Sequence, residues 1–337
     1  MTPAHILDPT GEVILVVRNP NPPFAVWTST DAKDTSASHE PSTQDYDSDT
    51  EAYVGWGYND NKTEESDGDQ DDDSAETTPA DVRIQVSAKH LMLGSSVFNK
   101  MLSGDWAEGR ELREKGSVEL VIQDWDIEAL LVVLHIMHSR LLKVPRQVTL
   151  EKLAKIAVIA DYYHCDSVQF FRTLWNCWVP RKPPTAYTRD VLLGLWVSHF
   201  FNWDVHFSAY TKAATEYSEG IIEPLGLPIP AQVLVEINDS RTSEIGTLVD
   251  NSYDLRDELY DDGQDFGGFS SRASEYRSTM LGSIIRQMKR VNLGLVKPDA
   301  PYTGVRLIDV QGILQFQLPI WSRSHVIPDA WDVGESE

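Results

Sequence analysis

A strongly acidic segment between two strand-forming stretches limits how this chain can fold. From residue 28 to residue 81 the sequence holds 17 Asp and Glu residues and two Lys, so this segment supplies −15 of the net charge of −23. The segment shows no apolar periodicity, and a stretch without apolar side chains to bury cannot offset the entropy lost on ordering. We therefore predict that residues 28–80 form a disordered acidic insertion. The globular fold has to bring together the strand-forming stretches on either side of it.

The acidic insertion offers two candidate chemistries of its own. Residues 64–73 read EESDGDQDDD, but when counted from Asp67 the run lacks the Gly at position 6 and the Glu at position 12 of a calcium-binding EF-hand. Ser48 and Ser66 each precede an acidic residue by three positions, which resembles the sites of acidophilic kinases. We expect no specific calcium site. For Ser48 and Ser66, phosphorylation and an unmodified solubilising linker are the alternatives.

Charge and cysteine content argue against several classes of partner. Nucleic acids and anionic membranes are bound through basic residues, so a chain with 52 acidic and 29 basic residues is expected to bind neither. Cys165 and Cys177 are too few for a disulfide framework or a thiolate zinc site. The sequence shows no signal-peptide pattern and no apolar run of membrane-spanning length. We expect a protein of the cytoplasm or nucleus with reduced thiols.

Short β-branched runs predict the strands. Residues 12–18, EVILVVR, enter a Pro-rich turn, after which residues 24–27 are expected to return as the second strand of a hairpin. Residues 82–86, VRIQV, alternate apolar and polar side chains as a half-buried strand does. A further strand is expected at residues 118–122.

The remaining segments are predicted to be helical. The second helix of the first half is apolar nearly all round, so we expect it to be central. Helices are expected to begin at Ser87 (ending at Gly104), at Asp124 or Asp126, at Thr149, and at Asp166 or Ser167. After several prolines, helices are predicted near 189–201, 204–222, 230–262 and 273–292. Tryptophans at helical spacing are expected in the core, namely Trp175, Trp178 and Trp196.

The sequence contains no set of residues with the spacing of a catalytic or metal site. His135 and His138 lie three apart on the central helix, but no Cys or carboxylate at a matching spacing completes a metal site. We expect one of the two to be packed and hydrogen-bonded and the other to be exposed. His164 and Cys165 are adjacent, so their side chains point apart on a helix and form no nucleophile–base pair. We expect no enzymatic activity, no cofactor and no metal.

The order of these elements resembles a BTB/POZ domain. The phrase VRIQVSAKHLMLGSSVFNKMLSGDW (82–106) is similar to the strand and first helix of this family. The phrase QDWDIEALLVVLHIMHSRLLKVPRQVTLEKLAKIAVIADYYHC (123–165) is similar to the helices that follow. The resemblance is greatest to fungal members in which a helical region comes next. The residues that carry it are Val86, Leu91, Ser95, Val97, Phe98, Leu102, Asp124, Trp125, Asp126, Leu153, Ala154, Ala157, Asp161, Tyr162, Tyr163 and Cys165.

The resemblance implies an α+β fold in which a small mixed sheet is flanked by helices and followed by an all-α region. It places a BTB/POZ-like domain at 11–27 plus 82–179. The predicted helices that follow indicate a helical domain at 187–295. Irregularly spaced Pro, Tyr and Trp residues then predict an irregular tail at 296–337, which lies over the helices or is partly ordered. The chain departs from the family at Gly94 and Ser96, where many members have a small residue and a Pro. Gly94 costs about 1 kcal/mol of helix propensity relative to Ala.

The resemblance also implies a protein-interaction module. Such a module docks a second copy of the chain, as a homodimer, or another protein through the first helix and the opening hairpin, with the helical C-terminal region as a second surface. Four residues of the first helix are predicted to contribute an apolar patch: Leu91, Met92, Val97 and Met101. A narrower alternative is a substrate adaptor of a cullin-type ubiquitin ligase, docked at residues 139–145 and the helix after them. The alternative of another class is a cryptic enzyme or a transcription regulator that uses Arg286, Lys289 and Arg290.

Overall fold

A computed structural model describes residues 2–27, 80–261 and 271–313, with the backbone alone for 271–275. The described residues form a mixed four-stranded sheet and many helices, so the predicted α+β class is confirmed. The strands are β1 (His5–Ile6), β2 (Val13–Arg18), β3 (Val82–Val86) and β4 (Val118–Gln123). The helices are α1 (Ala88–Gly94), α2 (Ser96–Ser103), α3 (Ala107–Lys115), α4 (Ile127–Met137), α5 (Leu150–Tyr162), α6 (Arg172–Trp175), α7 (Arg189–Phe200), α8 (Asp204–Tyr217), α9 (Ala231–Tyr260), α10 (Ser271–Arg290) and α11 (Leu307–Gln311).

The strand predicted from EVILVVR lies inside the sheet, whose order is β1-β3-β2-β4. β2 runs antiparallel to β3, with Leu15 opposite Ile84, and parallel to β4, with Leu15 opposite Leu120. The two-residue strand β1 pairs with the other edge of β3. Residues 19–81 therefore connect two strands that are neighbours in the sheet, and the pairing of the two predicted strands is confirmed.

The predicted hairpin strand at residues 24–27 is wrong, because these residues have no strand partner. Two of their carbonyl groups accept hydrogen bonds from a side chain and not from a neighbouring strand. Arg189 of α7 donates from Nη2 to the carbonyl of Phe24 and from Nε to the carbonyl of Ala25, each at 2.9 Å. The same guanidinium binds Glu151 of α5 at 3.0 Å and, together with Lys155, lowers the pKa of that carboxyl to about 2. This cluster joins the opening segment to α5 and α7.

α4 is the central helix, as predicted. Eight of its eleven residues are buried, and Asp126 caps its start by accepting the N–H of Ala129 at 2.9 Å. Thr149 caps α5 in the same way through the N–H of Lys152. Both caps were expected from local sequence, since a side chain at the N-cap accepts from a residue two or three positions later.

The segment predicted as a fourth regular helix is instead broken. Two 3-10 turns, Asp166–Phe171 and Asn176–Trp178, flank the four-residue α6. The predicted burial is confirmed for Trp175 and Trp196, but Trp178 is 42% exposed, so that expectation is wrong. α3 was not predicted, because its sequence AEGRELREK contains one large apolar residue and so no apolar stripe.

The apolar core continues past the prolines at 180–184. One buried cluster runs from Leu7 through the sheet, α4, α5, α7 and α8 to Ile237 in the first half of α9. A second cluster joins the later part of α9 to α10 and α11 and includes Ile245, Ile284 and Val310. The tail from residue 296 was predicted to be irregular and to lie over the helices; its described part contains α11, whose apolar residues pack into the second cluster. No described helix is both long and apolar enough to cross a membrane.

A buried arginine fastens the tail to α9. Arg241 is 1% exposed and donates to the carbonyl groups of four residues at 2.7–3.2 Å, namely Ser218, Pro301, Tyr302 and Val305. No described carboxylate forms a salt bridge with it. Burial lowers the pKa of this guanidinium from its ordinary value. The charge is thus solvated by peptide carbonyls, which is how a buried ion without a counter-ion is tolerated.

Candidate functional site

The predicted first helix is two helices that meet at Ser95. Ser95 has extended backbone angles (φ −148°, ψ 124°), so α1 ends and α2 begins at this residue. Its buried hydroxyl accepts the N–H of Phe98 at 3.1 Å and donates to the carbonyl of Tyr163 at 2.5 Å. Phe98 also stacks on the ring of Tyr163, with centroids 4.6 Å apart. The break is therefore fixed to the end of α5.

Gly94 explains how closely α1 approaches the central helix. A Cβ atom at this position would lie 2.8 Å from Cγ and 3.0 Å from Cβ of Met137, closer than real Cβ contacts allow. This glycine is thus required by packing against α4. Glycine is a poor helix former, but only a residue without a Cβ atom allows this close contact between the two helices.

The backbone N–H groups at the start of α1 donate hydrogen bonds to side chains that are distant in sequence. Ser87 is the N-cap residue, but its hydroxyl makes no capping bond, so the predicted capping role is wrong. The N–H of Ser87 instead donates to Nε2 of His138 at 3.0 Å, and the N–H of Ala88 donates to Glu12 at 3.1 Å. Both acceptors satisfy donors that the first turn of a helix leaves unpaired.

The ring of His138 is held between α1 and α4. Its Nδ1 atom lies 2.8 Å from the carbonyl of Leu134 and the ring stacks on His90 at 4.9 Å. Nε2 accepts a hydrogen bond and Nδ1 donates one, so the bonded tautomer is neutral. Burial lowers the pKa of His138, and His90 and Arg140 act in the same direction. The expectation of a packed, hydrogen-bonded histidine is confirmed for His138, whereas His135 is half-buried and not exposed.

The outer side of α1 and α2 carries a partly exposed apolar surface. Met92, Val97 and Met101 are half-buried and pack against the core with one side. Leu93, which follows Met92 in α1, has 88% of its surface exposed. We call these four residues the α1–α2 surface. Leu91 does not belong to it, because its side chain is fully buried in the core.

Sequence reasoning missed Leu93 because α1 contains three apolar residues in succession, Leu91, Met92 and Leu93. A helix turns about 100° per residue, so the three point in different directions, and the sequence does not show which points inward. Leu91 and Leu93 therefore have opposite roles although they are two positions apart.

The described residues hold no group of three or more His, Cys, Asp or Glu that could bind a metal ion. Cys165 is buried, and burial raises the pKa of its thiol to about 12, so the thiol stays protonated at neutral pH. This protonation state does not suit a nucleophile. Ser48, Ser66 and nearly all of the predicted acidic insertion lie outside the described residues.

Two other predicted surfaces, the 139–145 loop and the basic residues of the helix near 273–292, are both exposed. The 139–145 loop contains a 3-10 turn, Leu141–Lys143, and exposes both leucines of this turn. Arg286, Lys289 and Arg290 are exposed on α10.

No model of a known protein family matches this chain, and no curated protein matches it either.

Proposed function

We propose that this chain is a protein-interaction module with a BTB/POZ-like domain, and that the α1–α2 surface mediates its self-association. The observation that carries the proposal is the 88% exposure of Leu93 on a pair of helices that also carries three half-buried apolar side chains. Apolar side chains grouped at an exposed site lose contact with water when a partner covers them. A homodimer places the same residues on both sides of the interface.

The rigidity of the surface supports this role. Ser95 fixes the junction of α1 and α2 to Tyr163, and Gly94 packs against Met137. A surface held in one shape by the core loses little conformational freedom on binding, which favours association. No contact among the described residues favours a cullin, DNA or a small-molecule substrate over a second copy of the chain.

Sedimentation equilibrium of the intact chain between about 1 and 100 µM tests the proposal, since this range spans common affinities of weak to moderate dimers. The intact chain is expected to reach the mass of a dimer, and Leu93→Asp is expected to weaken the association by about tenfold or more, because a carboxylate replaces the buried contact. Val205→Asp on α8 is the matched control, since Val205 is also an exposed apolar residue. A monomeric mass for the intact chain at the highest concentration would refute self-association.

A further inference from the structure

In two segments of this acidic chain, every charged residue is Lys or Arg. Residues 139–148 contain three basic residues, and residues 167–182 contain another three. Neither segment contains Asp or Glu, although the whole chain has 52 acidic and 29 basic residues. The six basic residues are Arg140, Lys143, Arg146, Arg172, Arg181 and Lys182.

The two segments lie against each other on a buried base. The fully buried Trp175 donates its indole N–H to the carbonyl of Pro145 at 3.0 Å. Val144 and Val148 are buried in the same core cluster and anchor the loop on either side of Pro145. We use the name loop–helix surface for nine exposed residues of these two segments: Arg140, Leu141, Leu142, Lys143, Arg146, Phe170, Arg172, Leu174 and Trp178.

Large apolar side chains are exposed on the loop–helix surface. Leu142 is 98% exposed and Phe170 is 81% exposed, while Leu141, Leu174 and Trp178 are each exposed to about half that extent. Single exposed apolar residues are ordinary, but several on adjoining segments indicate a binding surface. Trp, Leu and Phe also bury much area when a partner covers them.

No carboxylate in the described part of the chain pairs with the basic side chains of this surface. Arg140, Lys143, Arg146 and Arg172 form no salt bridge with a described residue. By contrast, Lys152, Lys155 and Arg189 of the neighbouring helices each pair with a described carboxylate at 3.0 Å or less. Among the described residues, the surface therefore presents cations without a salt-bridge partner, next to exposed apolar groups.

We propose that the loop–helix surface binds an acidic peptide segment of a partner protein, one that carries aromatic or aliphatic side chains between its carboxylates. Carboxylates pair with the guanidinium and ammonium groups, and the apolar side chains cover Leu142, Phe170 and Trp178. A short peptide contacts this surface alone. Extended polyanions, such as a nucleic acid or an anionic bilayer, also meet the field of a chain with a net charge of −23, which repels them.

The test is fluorescence anisotropy with the intact chain at about 50 mM salt, where screening of surface charges is weak. The probe is a fluorescein-labelled peptide, DYEWDFEYD, which joins five carboxylates to four aromatic rings, has no basic residue and does not occur in this chain. A second peptide has Asn and Gln in place of the five acids. Vesicles of neutral and anionic phospholipid and a single-stranded RNA are measured in parallel.

Two variants and one matched control locate the binding. Arg140→Glu with Lys143→Glu is expected to weaken binding of the acidic peptide by about tenfold or more, and Leu142→Ser by about threefold or more. Leu142 is almost fully exposed, so its replacement leaves the fold intact. Lys289→Glu with Arg290→Glu on α10 changes the net charge equally and is expected to change the affinity by less than about twofold.

Specific outcomes overturn the proposal. They are equal affinity for the acidic and amide peptides, equal loss in the α10 control, tighter binding of the vesicles or RNA than of the peptide, or no binding below about 1 mM. The loop–helix surface shares no residue with the α1–α2 surface. Failure of self-association and failure of peptide binding are therefore distinguishable, because each experiment substitutes residues of one surface.

Discussion

His138 accepts the backbone N–H of Ser87 through Nε2 at 3.0 Å, so a side chain at the end of α4 completes the hydrogen bonding at the start of α1. This bond requires a lone pair on Nε2, which protonation of the ring removes. The contact between the two helices is therefore coupled to the ionisation of one buried histidine.

Acidification is expected to destabilise the fold through His138. Burial lowers the pKa of His138 below 6.5, so at mildly acidic pH the unfolded chain binds a proton that the folded chain does not. The contribution to stability is complete above the unfolded pKa and decreases as the pH falls below about 6.5. His138→Gln keeps an acceptor for Ser87 and does not titrate, so it is expected to lose less stability than the intact chain between pH 7.5 and 5.5.

Urea unfolding at the two pH values measures this difference. His164→Asn is the control, because His164 is exposed and has a positive φ of 51°, which Asn tolerates. The other histidines with lowered pKa, His135 and His206, are present in all three proteins and cancel in the comparison. If His138→Gln and the intact chain lose the same stability on acidification, His138 is not the responsible group.

Gly94→Ala is expected to destabilise the protein although Ala is the better helix former. The new Cβ meets Met137 at 2.8 Å, and such overpacking costs about 1–3 kcal/mol, more than the gain of about 1 kcal/mol in propensity. Gly282→Ala in α10 meets no atom within 4 Å, so it is expected to stabilise the protein by up to about 1 kcal/mol. Chemical unfolding followed by circular dichroism compares the two, and a stabilising effect of both would contradict the close contact at Gly94.

Arg241→Lys is expected to lower the free energy of unfolding by about 2–4 kcal/mol, because one ammonium cannot replace the planar donors that bind four carbonyl groups. Arg306→Lys is the comparison, since Arg306 pairs with Asp309 near the surface and such pairs contribute about 1 kcal/mol or less. Equal effects of the two substitutions in urea unfolding would show that the carbonyl cluster around Arg241 is not a stabilising feature.

The two cysteines are expected to differ in reactivity. Cys177 is exposed, whereas Cys165 is buried with its pKa raised to about 12. Thiolate is the reactive form, so a disulfide reagent at pH 8 is expected to modify one thiol of the folded chain and both in denaturant. Cys177→Ser is expected to remove the reaction of the folded chain. Rapid modification of this folded variant would place Cys165 at the surface.

Elements with local signals could be predicted from the sequence. The alternation in VRIQV and the caps at Asp126 and Thr149 depend on residues within one strand or one turn. Ser87 behaves differently, because its partner His138 lies 51 positions away. Arg241 likewise reaches Val305 across 64 positions. Contacts over such separations are set by the tertiary fold, and a pattern of apolar residues does not report them.

The candidate site shows the same division. An apolar surface on the first helical segment was predicted. The break of this segment at Ser95 was not, since the Ser95 hydroxyl donates to the carbonyl of Tyr163, a distant residue directly after α5. The sequence also did not show which face of α1 points outward, because residues 91–93 are all apolar. Burial separates Leu91 from Leu93, and burial is decided by α4 and the sheet.

The antiparallel pair of β2 and β3 has a kinetic consequence. Their facing residues, such as Leu15 and Ile84, are 69 positions apart in the chain, so the search for this pairing is slow compared with the closing of a tight turn. The entropic cost rises by only about 0.6 kcal/mol for each doubling of the connecting length. Helices α4 and α5, whose contacts are close in sequence, are free to form first. The length of the connection then sets the pace at which the sheet is completed, while the native contacts stay the same.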